Sequence, residues 1–119
     1  MMRIAERLCK QYKLQTIITG ESLAQVASQT IESITSTNSV VNEIPILRPL
    51  IGMDKTEIID IAEKINTYET SILPYEDCCT VFLPKNPIIR PKLCDVINEE
   101  SKLDIEALIN EAFEGLEII

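Results

Sequence analysis

The chain has 119 residues, 45% hydrophobic and 25% charged, a globular composition that excludes disordered, collagen-like and low-complexity classes. It carries 19 acidic against 11 basic residues, a formal charge of −8, which argues against a free-standing nucleic-acid binder. Histidine is absent, and with it Cys–His dyads, Ser–His–Asp triads and most transition-metal sites.

Residues 2–13 are predicted to form a helix, with Ile4, Ala5, Leu8 and Tyr12 on one stripe and Arg3, Arg7 and Lys10 on another. This head holds Arg3, Arg7, Lys10 and Lys13 against Glu6 alone, so one end of the molecule is expected to be able to face phosphate, while the strongly acidic tail is solvated. Gln15-Thr16-Ile17-Ile18-Thr19 reads as a short strand ending at Gly20. Ser22 is placed as the N-cap of a helix in which Leu23, Val26, Ala27, Thr30, Ile31 and Ile34 recur at helical spacing. The Ser/Thr/Asn-rich stretch 35–45 reads as a loop, and Ile46-Leu47-Arg48 as a second strand closed by Pro49. Asp54 and Glu57 form a capping-box pattern ahead of a helix that buries Ile58, Ile61, Ala62 and Ile65. Residues 67–93, with four prolines, read as irregular apart from a strand near Val81–Leu83. A short helix over 93–101 and a stronger one capped by Asp104 complete the order.

That alternation predicts an α/β fold with a small parallel sheet. Two or three strands are too few for a complete doubly wound sheet, so the chain reads as a piece of something larger. No apolar run reaches 18 residues, so no membrane span is expected, and the amphipathic N-terminus is not a secretory signal. A cytoplasmic, reducing location follows, with Cys9, Cys78, Cys79 and Cys94 as thiols.

Two places point to chemistry. At Thr19-Gly20-Glu21-Ser22 a strand ends and a helix is expected to begin, the edge at which open α/β sheets bind ligands. Gly20 admits close approach to the backbone, and the Gln29 carboxamide can donate and accept at once; an ordinary turn and a solvated glutamine are the alternative. The second place is Glu76-Asp77-Cys78-Cys79. Adjacent cysteines do not fit the Cys-x-x-Cys spacing of a zinc site, and no metal site is expected. A sulfur-handling thiolate and a pair of small buried hydrophobes stand as equal readings, and acidic neighbours would raise a thiol's pKa. Lys85, Arg90 and Lys92 form a small basic cluster that could follow phosphates weakly, or simply be a solvated loop.

Taken together, Thr19 to Thr30, Ile46 to Lys55 and Pro74 to Phe82 resemble the ordered signatures of the tRNA sulfurtransferases, also called tRNA 4-thiouridine synthetases or thiamine-biosynthesis sulfurtransferases. The resemblance covers nearly the whole chain. It implies part of a PP-loop ATP pyrophosphatase domain, a Rossmann-like three-layer α/β fold of the adenine nucleotide alpha hydrolase type. Such enzymes adenylate a tRNA uridine and insert persulfide-derived sulfur from a cysteine desulfurase, and also supply sulfur for the thiamine thiazole. By that resemblance Gly20 and Gln29 contact ATP, Cys79 is the reactive cysteine, and Lys85, Arg90 and Lys92 are weak tRNA contacts.

The S-G-G-x-D-S motif of the PP-loop is absent from residues 1–119, as are THUMP and rhodanese regions, and Ala24 and Asn66 stand where the family pattern has Gly, a change of local packing. The expectation is the C-terminal half of the catalytic domain, inactive alone. ATP with Mg²⁺ serves the intact enzyme and neither is held tightly by this piece, which is expected to self-associate as a homo-oligomer. The alternative is a non-catalytic half-domain acting as a pairing scaffold or small sulfur carrier.

Overall fold

The computed structural model describes residues 1–23, 29–75 and 88–117. Its elements are α1 (Met2–Tyr12), β1 (Ile17–Ile18), α2 (Ile31–Asn38), β2 (Ile46–Leu47), α3 (Lys55–Lys64), α4 (Tyr68–Ser71), α5 (Leu93–Glu100) and α6 (Ile105–Glu114). β1 and β2 pair in parallel, Ile17 opposite Ile46 and Ile18 opposite Leu47, so α2 lies in the crossover between them. The ladder runs from the Ile17 N–H to the Pro45 carbonyl at 3.0 Å and from the Thr19 N–H to the Leu47 carbonyl at 3.1 Å. The expected small parallel sheet is therefore present.

Successive strand side chains point to opposite faces. Ile17 and its partner Ile46 face the covered side, where Ile17 is buried. Ile18 and Leu47 face the other and remain 66% and 53% exposed. Among the described residues only Cys9, Ile17 and Ser22 are buried. The radius of gyration is 16.1 Å, against roughly 13.5 Å for a compact domain of this length. The sheet is thus covered on one face and open on the other.

α1 forms as expected and packs against β1 and α6, but its buried residue is Cys9, which the expected apolar stripe did not include, while Tyr12 of that stripe is exposed. The helix ends at Lys13, whose left-handed backbone (φ 55°) lets the Leu14 N–H reach the Cys9 carbonyl at 2.8 Å. The basic stripe, however, is not presented to phosphate. Arg3 makes a two-pronged bridge to Glu100 at 3.1 and 2.8 Å, and Lys10 pairs with Glu43 at 2.7 Å. Arg7 donates to Asn110 at 2.6 Å and lies 4.5 Å from the centre of the Phe113 ring. The C-terminal helices thus contact the head through Glu100, which pairs with Arg3, and through Asn110 and Phe113 at Arg7, while the partner of Lys10 comes from the segment before β2.

Two helix boundaries differ from expectation. Residues 29 and 30 are not helical, and α2 starts at Ile31 with Thr30 as its cap, accepting from the Ser33 N–H at 3.2 Å. The expected cap, Ser22, instead donates its hydroxyl to the Met53 carbonyl at 2.7 Å. At its far end α2 runs on to Asn38 through residues expected to be loop. Thr35 and Ser36 donate their hydroxyls to the Ile31 and Glu32 carbonyls at 2.8 and 3.0 Å, so polar side chains that usually compete with helix here bond back along it. Within 67–93 the short helix α4 breaks the expected irregularity, and the strand expected near Val81–Leu83 lies outside the described residues.

The caps of the later helices form as read. Asp54 accepts from the Glu57 N–H at 2.9 Å while Glu57 accepts from the Asp54 N–H at 2.8 Å, a reciprocal capping box. Asp104 accepts from the Ala107 N–H at 3.0 Å.

Candidate functional site

The turn that leaves β1 is built from Thr19, Gly20, Glu21 and Ser22, at the carboxyl edge of the sheet. It is tied to the turn that leaves β2. The Leu23 N–H donates to the Ile51 carbonyl at 3.1 Å, and the Ser22 hydroxyl reaches Met53. Ser22 is 2% exposed, the most deeply buried polar side chain described.

Two of the expected site residues are tied to this turn, Gly20 as part of it and Gln29 through Ser22. The Ser22 N–H donates to the Gln29 Oε1 at 3.2 Å. That bond uses the carboxamide oxygen as an acceptor; the NH₂ of the same group is a donor. Gly20 sits two residues before Ser22, and a Cβ built on it would meet nothing within 4 Å. Steric crowding inside the chain therefore does not require glycine there, and the bare backbone faces open space. A cleft of about 350 Å³ opens at Gly20, walled by Ile18 and Pro49 and by Ile58 and Ile61 of α3. Gln29 lies on the Ser22 side of the turn and is not part of that wall.

Arg90 and Lys92 are exposed and precede α5. Their segment touches the site's flank, because the Thr30 hydroxyl donates to the Ile89 carbonyl at 2.9 Å. Cys78, Cys79 and Lys85 lie outside the described residues. Among the described residues no three His, Cys, Asp or Glu side chains are grouped to hold a metal ion, and no helix is long and apolar enough to cross a membrane.

Two residues of the site were not singled out from the sequence. Glu21 Oε2 accepts from Arg48 Nε at 2.7 Å and from the Thr19 hydroxyl at 2.9 Å. Arg48 Nη2 also donates to Asn38 Oδ1 at 2.8 Å. A signal was available. Opposite charges stand just past the ends of two short strands, and parallel pairing sets those ends side by side.

The bare backbone of Gly20 and the Gln29 carboxamide stand near the carboxyl edge of the sheet, and residues 1–119 hold no S-G-G-x-D-S run of the kind that cradles phosphates. The thiamine biosynthesis protein (ThiI) family model matches residues 1–105. The chain belongs to this family. Among ThiI relatives, a probable tRNA sulfurtransferase of Finegoldia magna is 60% identical over 119 residues, all of this chain and 30% of that protein. One from Alkaliphilus oremlandii is 59% identical over 118 residues, 99% of this chain and again 30% of the relative. A crystal structure of a 4-thiouridine synthetase–RNA complex with bound ATP superposes with a TM-score of 0.84 at 43% identity, covering 97% of this chain and 30% of that one. The chain thus spans about 30% of the length of the ThiI relatives it matches. The family expected from the three sequence blocks is borne out, as is the α/β fold with a short parallel sheet.

Proposed function

We propose that this chain is the C-terminal half of the PP-loop ATP pyrophosphatase domain of a tRNA sulfurtransferase, which makes 4-thiouridine in tRNA and supplies sulfur for the thiamine thiazole. In this reading Gly20 and Gln29 form one wall of the adenine site, and Cys79 handles sulfur. The carrying observation is the Ser22 N–H bond to Gln29 Oε1, 3.2 Å, beside an open Gly20. Kinship to proteins named tRNA sulfurtransferases and to an ATP-bound 4-thiouridine synthetase supports the choice of nucleotide.

ATP with Mg²⁺, when bound, would supply the AMP group that activates the uridine carbonyl oxygen, with pyrophosphate as the leaving group, and phosphate contacts would come from parts of the enzyme beyond residues 1–119. Gly20 leaves the backbone open to the base, and Gln29, its oxygen held by Ser22, donates from its NH₂ to a ring acceptor. The Cys79 thiolate attacks the inner sulfur of a persulfide supplied by a cysteine desulfurase. A disulfide forms to Cys79 and hydrosulfide leaves, to displace AMP from the activated base; a reductant then frees Cys79. Arg90 and Lys92, with Lys85, steady the tRNA backbone weakly. The reactions run in the cytoplasm.

In the full-length protein, Gln29→Ala is expected to weaken Mg-ATP binding about tenfold, the loss of one oriented hydrogen bond in a site shielded from water. Calorimetric titration measures it, and an unchanged affinity removes Gln29 from the site. Under physiological reductant Cys79→Ser is expected to abolish tRNA thiolation while Cys78→Ser retains it; the reverse result moves the sulfur role to Cys78.

A further inference from the structure

Arg48 is the convergence point of three segments of the βαβ unit. Its guanidinium bonds Glu21 in the turn after β1 and Asn38 at the end of α2, while its own backbone directly follows β2. The Arg48 and Glu21 side chains are 10% and 25% exposed, whereas the other three ion pairs of the described residues are all more open. Thr19 donates to the same Glu21 oxygen. The two residues that flank Gly20 are thereby held on one carboxylate, and that carboxylate is held on one guanidinium.

We propose that Glu21 and Arg48 are positioning residues for the nucleotide. The pair clamps the Gly20 turn at the height at which its backbone, and the Gln29 carboxamide hung from Ser22, can meet the base. A charged pair is well suited to this. Planar guanidinium geometry fixes direction as well as distance, and small displacements of a binding turn carry large losses. The low exposure of the pair keeps its attraction from being screened as a surface pair's would be. The proposal rests on the reading that Gly20 and Gln29 bind ATP, but it assigns roles to residues that touch neither the nucleotide nor the sulfur.

The test uses the full-length protein and Mg-ATP, with Glu21→Gln, Arg48→Lys, the double variant and Gln29→Ala. Each of the two single clamp variants is expected to raise the Kd for Mg-ATP about tenfold, with the double variant no worse than either, because both break one device. Turnover at saturating ATP is expected to stay within about twofold of wild type, a split between KM and kcat that general destabilisation does not produce. Asn38→Ala is the second reporter, because it loosens one arm of the guanidinium from an exposed helix end whatever the clamp variants do to folding. An increase in Kd of about threefold is expected of it. Unchanged affinity in folded Glu21→Gln or Arg48→Lys, or in Asn38→Ala if those two do not fold, overturns the clamp. If Gln29→Ala weakens ATP while these do not, the clamp alone is wrong; if Gln29→Ala also binds normally, the underlying site is wrong.

Discussion

Lys13 and Asn66 both stand in the left-handed region, at φ 55° and 58°. Each closes its helix in the same way. The Asn66 N–H reaches the Glu63 carbonyl at 3.1 Å and the Thr67 N–H reaches Ala62 at 2.9 Å, as Lys13 and Leu14 do at the end of α1. An L-residue in that region clashes with its own carbonyl, but asparagine tolerates it better than lysine does. The glycine that the family resemblance leads one to expect at position 66 would suit this left-handed backbone, a conformational reason rather than the packing change expected from sequence. Lys13→Gly is expected to stabilise the chain by about 1 kcal/mol, and Asn66→Gly by about half as much. Thermal unfolding checks the order, since about 1 kcal/mol moves the midpoint by roughly 4 °C at this size. Equal effects at both positions, or a loss at Lys13, reject the account. At this scale the glycine at the end of β1 was legible, although the structure shows no crowding or left-handed backbone that demands it. The pairing of Arg48 with Glu21, 27 positions away, was legible only by combining two readings, the parallel pairing of the strands and the opposite charges just past their ends.

At the scale of elements, the caps show what local sequence can settle. Asp54 with Glu57, and Asp104, bond within three residues of themselves, so their helices could be read directly. The start of α2 could not, because its Thr30 cap is also held from outside, by the Ile89 carbonyl. Contacts between elements also set the acid response. The Arg3 guanidinium beside Glu100 holds that carboxyl below its usual range, and two backbone N–H groups, of Glu43 and then Asn42, do the same for Glu6. The bond from the Thr56 hydroxyl, then that from the Glu57 N–H, lowers Asp54. A carboxyl depressed in the folded state contributes stability that is complete above its unfolded pKa and is lost as pH falls through the folded value. Stability is therefore expected to be level above about pH 5 and to decline below about pH 4. Glu100→Gln is expected to flatten part of that decline, because it removes the depressed group that joins α1 to α5. Melting midpoints taken between pH 3 and 7 measure this, and an acid limb as steep in Glu100→Gln as in wild type removes the Arg3–Glu100 bridge from the account.

At the scale of the molecule, charge and coverage decide what the chain can do unaided. The formal charge is −8, and the basic face of α1 is occupied by Glu100, Glu43 and Asn110. The composition suggested a basic head able to face phosphate; tertiary pairing, invisible in a charge count, engages Arg3 and Lys10 of that head in ion pairs. Arg90 and Lys92 are exposed and, unlike Arg3 and Lys10 of α1, stand in no ion pair among the described residues. They also lie on the flank of the candidate nucleotide site through the Ile89–Thr30 bond. Backbone contacts to nucleic acid are paid by counterion release, so each one contributes a slope of slightly under one to the fall of log affinity with log salt. Arg90→Glu with Lys92→Glu in the full-length protein is therefore expected to weaken tRNA binding uniformly across tRNA sequences and to reduce that slope by about 2. A filter-binding series across salt concentrations measures it. A slope that does not change places both side chains in solvent, the plainer reading of a short basic loop. A change confined to one tRNA sequence would instead mean base contact, which two exposed cations on an extended segment are poorly arranged to make.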